Sequence, residues 1–148
     1  MKLGVVFNEH KLSGKLTYWF TGCYAYHTVW FSEEDGVMYD MHLLRRRRSW
    51  PAYTEAQILS FDVPQVTKNY LEQRLTFDES EYGVLDYTLF FLRPLYHLFG
   101  KSTRNAGGTI CSEMINQDMR ACGVDTPWEL DVEPPSPCDI FRWLSRST

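Results

Sequence analysis

The 148-residue sequence has no apolar run near the roughly 20 residues that a membrane-spanning helix needs, so no integral membrane segment is expected. It has no internal repeat and no low-complexity tract, which excludes solenoids and disordered linkers. It has no Cys-x-x-Cys pair, so a zinc site built on thiolates is not expected, and no pattern calls for a metal or cofactor. Positive charge is in short supply: 15 Lys and Arg stand against 19 Asp and Glu, a net charge of -4. Proteins that live on nucleic acid are usually basic, because phosphate neutralisation supplies much of the affinity, so no nucleic-acid partner is expected. The opening MKLGVVFNEH holds one lysine and a short apolar stretch, less than a secretory signal requires. This reads as a cytoplasmic protein, with carriage in a phage particle as another route.

Hydrophobic residues make up 44% and charged residues 23%, the balance of a globular chain, and the aromatic share is high at 16%. The length suits a single domain over residues 1–148, large enough to fold without disulfide or metal staples. The four cysteines, Cys23, Cys111, Cys122 and Cys138, are unevenly spaced. The simplest reading is a reducing compartment with four free thiols, of which Cys23, Cys122 and Cys138 are packing residues.

The first half reads as strands: Lys2–Phe7, Lys15–Thr21, Tyr24–Phe31, Val37–Leu43 and Gln57–Val63. The polar link SEEDG, ending in glycine, makes 24–31 and 37–43 a β-hairpin. The run Arg45–Arg48 reads as a solvated loop, though arginines can also hold carboxylates or phosphates bidentately. The second half reads as helices. Pro64 suits a first helical position, and Val84–Leu98 is an apolar core segment broken by Pro94. After the Gly-rich loop Lys101–Thr109, Ile110–Cys122 has helical spacing and stops at Gly123. Ser136 caps a last helix with Pro137 at its first position. Strands followed by helices predict an α+β fold, an antiparallel sheet packed against helices.

Cys111 stands out because it follows a Gly-rich loop and opens a helix. A helix N-terminus carries partial positive charge and unpaired N–H groups, which favour a thiolate and can hold an oxyanion. A free cysteine is more often a small buried hydrophobe, so a nucleophile needs a base as well. His27 sits mid-strand in the hairpin. With SEEDG as the turn, it lies near Asp40 on the partner strand, where a carboxylate can orient the imidazole. A one-residue slip would turn Asp40 to the other face. His42 shares Asp40's face and is the second candidate for the third position. Cys111, His27 and Asp40 together follow the logic of a catalytic triad.

The order of these residues, histidine on a β-hairpin, a polar residue on the next strand and cysteine opening a late helix, resembles a circularly permuted papain-like fold. That group includes NlpC-type (YiiX-like) amidases and peptidases and the lecithin–retinol-acyltransferase-like enzymes. CSEMI, Cys111–Ile115, resembles the family's Cys-Ser-Glu-Leu-Val nucleophile motif. EYGVLDYTLFF, Glu81–Phe91, resembles its Gly-Tyr-Asp-Tyr element, matching best at Asp86 and Tyr87. ILSFDVPQ, Ile58–Gln65, and SPCDIFRWL, Ser136–Leu144, resemble the strand leading into the first helix and the closing helix. None of Tyr18, Tyr24 and Tyr26 matches the tyrosine that often assists the oxyanion in that family.

The resemblance implies acyl transfer through a thioester. Cys111 would be the nucleophile, His27 the general base and Asp40 its orienting group. A cysteine hydrolase cutting an amide in a peptide or cell-wall-type peptide is the leading expectation. A lipid acyltransferase, phospholipase or thioesterase on the same fold, and a silent binding protein of phage or bacterial origin, are the alternatives. Glu113, in the first turn of the Cys111 helix, reads as a helix-start stabiliser.

Overall fold

A computed structural model describes residues 1–41, 44–53, 57–77, 98–99, 110–129 and 134–147. Five strands form one antiparallel sheet: β1 (Lys2–Phe7), β2 (Ala25–Ser32), β3 (Val37–Met41), β4 (Arg45–Ser49) and β5 (Gln57–Asp62), in the order β4-β3-β2-β1-β5. Four helices accompany it among the described residues: α1 (Leu12–Thr21), α2 (Lys68–Phe77), α3 (Cys111–Ala121) and α4 (Pro137–Ser147). The fold is therefore mixed α+β, with the helices mainly late in the chain. None of the described helices is long and apolar enough to cross a membrane.

β2 lies in the centre of the sheet and is buried on both faces. One face packs Leu3, Val5, Trp30, Tyr39 and Met41 against Met114, Ile115 and Met119 of α3 and Ile140 and Leu144 of α4. The other holds Val6, Val29, Phe31 and Met38 under Trp50, Tyr53 and Ile58, with Phe31 and Trp50 stacked at 4.1 Å. Each inward apolar side chain adds about 1.5–3 kcal/mol on burial, so the α3 stripe is what seats that helix on the sheet. α3 ends as its sequence suggests. Gly123 takes a left-handed φ of 81°, and the Val124 N–H reaches back to the Met119 carbonyl at 2.9 Å. α4 begins as expected too, with the Asp139 N–H donating to Ser136 Oγ and Asp139 Oδ2 accepting from the Ser136 N–H.

Four expectations are corrected. Lys15–Thr21 is helical, within α1, although it is rich in β-formers. β-propensity mostly measures packing on a pleated surface, and here the local ends decide. Asn8 Oδ1 accepts from the His10 and Lys11 N–H groups, and Gly22, at φ 72°, donates to the Tyr18 carbonyl. Arg45–Arg48 is strand β4 and not a loop, because its guanidiniums find acidic partners. α2 starts at Lys68 rather than at Pro64, with Thr67 Oγ1 accepting the Tyr70 N–H. Finally, Cys23 and Cys138 form a disulfide across 115 residues, so only Cys111 and Cys122 are free thiols. The reducing-compartment reading rested on four free thiols, and two of them are paired. The Val84–Leu98 apolar segment, apart from Leu98, lies outside the described residues. So do the Glu81–Phe91 motif, the Lys101–Thr109 loop and His42.

One cluster ties the elements together. Asp118 of α3 is fully buried and accepts from Arg45 Nη1 and Nη2 at 2.8 and 3.0 Å, from Trp30 Nε1 at 2.9 Å and from the Tyr70 hydroxyl at 3.2 Å. It joins β4, β2 and α2 to the helix that Cys111 opens. Asp118→Ala leaves the buried Arg45 guanidinium without its anion, which costs about 3–5 kcal/mol. Urea unfolding is expected to show that loss, and the paired change Arg45→Met/Asp118→Leu to lose clearly less. A thiol titration of the unfolded, unreduced chain is expected to count two thiols, at Cys111 and Cys122.

Candidate active site

The hairpin turn and register put the base and the carboxylate on one face. Trp30 pairs with Tyr39, Phe31 with Met38 and Ser32 with Val37. Continuing that register sets Asp40 opposite Val29 and diagonal to His27, within reach of a long side chain. Along the other edge of β2, Phe7 pairs with Ala25 and Val6 with His27, which makes Tyr26 an extra residue. Such a bulge bends the strand and re-aims the neighbouring side chains, here one position before His27.

The structure brings all three expected residues together. His27 and Cys111 are buried and Asp40 is fully so. His27 Nε2 lies 3.8 Å from Asp40 Oδ2, an ion-pair distance longer than a hydrogen bond. The Cys111 thiol lies close enough to the His27 ring and to Thr28 for both to act on its charge. Cys111 is the first residue of α3, after the extended Ile110 (φ -95°, ψ 164°). The helix start is pinned by Ser112 Oγ, which donates to the Pro135 carbonyl at 2.6 Å. The N–H groups of the first turn have no acceptor inside the helix.

The charges favour an ion pair. Burial by itself pulls the His27 pKa down. The negative sulfur of Cys111, with Asp40 behind the ring, outweighs that and pushes it up to about 9. Burial alone raises the Cys111 thiol. The His27 imidazolium, with the donations from Thr28, brings it below the ordinary thiol value. Both shifts thus favour the charged forms, a thiolate beside an imidazolium, over what burial alone would give.

Asp40 carries partners that sequence reading did not assign to it. Arg46 Nε donates to Oδ1 at 2.7 Å, Arg48 Nη1 to Oδ2 at 3.3 Å and the Tyr53 hydroxyl to Oδ2 at 3.0 Å. Burial works to raise its pKa, but His27, Arg46 and Tyr53 hold it far below the usual carboxylate range. Tyr53 also leans its ring 5.7 Å from the His27 ring, and burial beside Asp40 keeps its hydroxyl protonated as a donor. The arginine run alternates along β4. Arg46 and Arg48 go to Asp40, while Arg45 is buried on Asp118 and Arg47 Nε lies 3.5 Å from Glu72. Four identical residues show no alternation in the sequence, and their acidic partners come from three separate elements. Glu113 is buried in the first turn of α3 and accepts from Gln117 Nε2 at 3.4 Å, in keeping with a helix-start role. Among the described residues no group of His, Cys, Asp and Glu is placed to hold a metal ion.

Cys122 serves as an internal control, since burial and the charge of Asp118 push its thiol up. Iodoacetamide at neutral pH is expected to label Cys111 faster than Cys122, and His27→Ala to remove that advantage. Asp40→Asn takes the anion from behind His27. The imidazolium then loses its proton below about pH 9, and the alkaline fall in reactivity toward an anionic alkylator is expected to move to lower pH.

No family model matches the chain, and no curated protein and no solved structure matches it either, so the reading of this site rests on its own chemistry.

Proposed function

We propose that the chain is a cysteine hydrolase that cuts an amide through a thioester, on a permuted papain-like fold. The observation that carries the reading is the buried Cys111–His27–Asp40 array at the start of α3. Cys111 Sγ attacks the acyl carbon, and the carbonyl electron pair moves to oxygen. N–H groups of the first turn of α3 stabilise that oxyanion. Collapse expels the amine, which takes its proton from the His27 imidazolium. A water then gives a proton to His27 and attacks the thioester. The thiolate leaves and His27 stays protonated, ready for the next cycle.

Arg46, Arg48 and Tyr53 hold Asp40 ionised and still, so that it orients the ring without taking the proton. A peptide or cell-wall-type peptide is the substrate class we put first. A lipid acyl donor is the second reading, and one observation favours it, the apolar outer face of α1.

The test is acyl-enzyme trapping. The protein is mixed with a panel of activated peptide amides and short- and long-chain esters, quenched in acid and weighed by mass spectrometry. An adduct on Cys111 that disappears in Cys111→Ser and accumulates less in His27→Ala is expected. Hydrolysis should rise as Cys111 ionises and fall as His27 loses its proton near pH 9, because the general acid is then gone. Absence of any adduct, with Cys111 no more reactive than Cys122, would remove the hydrolase reading and leave a binding protein.

A further inference from the structure

Helix α1 is packed inside out. Gly14 and Thr17 face inward, Thr17 only 4% exposed, while Leu12 is 73%, Leu16 36%, Tyr18 47% and Trp19 79% exposed. The orientation is fixed by the body of the protein. A Cβ at Gly14 would overlap the Asn8 carbonyl, so only glycine allows this approach. Thr17 Oγ1 donates to the Ser13 carbonyl at 2.8 Å and Thr21 Oγ1 to the Thr17 carbonyl at 2.7 Å, which satisfies the polar inner side locally. Arg142 Nη2 donates to the Thr21 carbonyl at 2.7 Å, and the Cys23–Cys138 disulfide follows two residues on. The helix is therefore a rigid platform that cannot roll to bury its large side chains.

Leu12, Leu16 and Trp19 are spaced i, i+4 and i+7, so they form one outward stripe. Single exposed apolar residues are ordinary, but a continuous stripe marks a surface with a partner. Lys11 and Lys15 are exposed at the same end of the helix. Between Glu9 and Glu33 the sequence holds no acidic residue, although the chain as a whole carries -4. Positive charge is thus gathered where the apolar stripe lies.

We propose that α1 docks in the plane of an anionic lipid bilayer. Leu12, Leu16 and Trp19 enter the boundary between headgroups and acyl chains, and Lys11 and Lys15 face the lipid phosphates. A basic helix with an apolar face and a tryptophan is the form that lies in an interface. Neither of the two described cavities is lined by a residue of α1. This inference does not depend on the hydrolase reading and stands if Cys111 proves inert.

Sedimentation with sucrose-loaded vesicles tests it. The protein is expected to partition onto phosphatidylcholine vesicles containing phosphatidylglycerol, to leave pure phosphatidylcholine in solution, and to lose binding as salt rises. Lys11→Gln and Lys15→Gln should each weaken the partition about fivefold. Leu12→Ser with Trp19→Ser should abolish it while the far-ultraviolet circular dichroism stays unchanged, since both side chains are exposed. Brominated acyl chains should quench a fluorescence component that Trp19→Phe removes, a readout that holds even if the double variant folds poorly. No partition onto anionic vesicles, or partition that these substitutions leave unchanged, overturns the proposal. So does a dimer that Trp19→Ser dissolves, which would assign the face to a second copy.

Discussion

A single buried carboxylate holds the helix that Cys111 opens in place. Asp118 lies two turns along α3 from Cys111 and is gripped by Arg45, Trp30 and Tyr70, one each from β4, β2 and α2. A carboxylate in a core is costly unless its charge is paired and its oxygens accept hydrogen bonds, and here both conditions are met. Such a cluster tolerates little sliding or rotation of α3 on the sheet. Apolar packing of Met114, Ile115 and Met119 supplies attraction but little direction, whereas a bidentate guanidinium fixes register. The position of the Cys111 sulfur relative to His27 is inherited from that register.

The same strand, β4, serves both carboxylates. Its arginines alternate between the Asp118 cluster and the back of the candidate triad, so a stretch of four like charges is absorbed without repulsion becoming decisive. Around Asp40 the count is two guanidiniums and an imidazolium against one carboxylate. Of these, the His27 imidazolium is the charge that brings the buried Cys111 thiol below its ordinary value. Burial opposes the ionised forms of Asp40, His27 and Cys111, and the opposite charges beside each offset it. Removing Asp40, His27 or Cys111 therefore shifts the protonation of its neighbours.

Much of the architecture was legible. The hairpin through SEEDG, the cysteine at the head of α3, the Gly123 stop and the Ser136 cap are local signals, carried by residues within a few positions of each other. His27 and Asp40 could be placed on one face because strand pairing is a simple period of two about a short turn. Where reading failed, residue propensity was outweighed, by the local ends of the helix in α1 and by distant partners at the arginines and cysteines. α1 looked like a strand because Tyr18, Trp19 and Phe20 favour strands, yet Asn8 and Gly22 close it as a helix. The arginine run looked like a loop because its acidic partners are up to 73 residues away. The cysteines looked alike because nothing local pairs Cys23 with a residue 115 positions on.

Periodicity, caps and turn chemistry are short-range, and from them the chain alone set its element types in the hairpin and late helices, its α+β class and the identity of its candidate nucleophile, base and carboxylate. Long-range closure decided the rest. It selected which carboxylate each arginine meets, which thiols pair and which face of α1 is turned outward. These are choices among energetically similar local options, and they are settled only when distant segments compete for the same buried volume and the same unpaired charges.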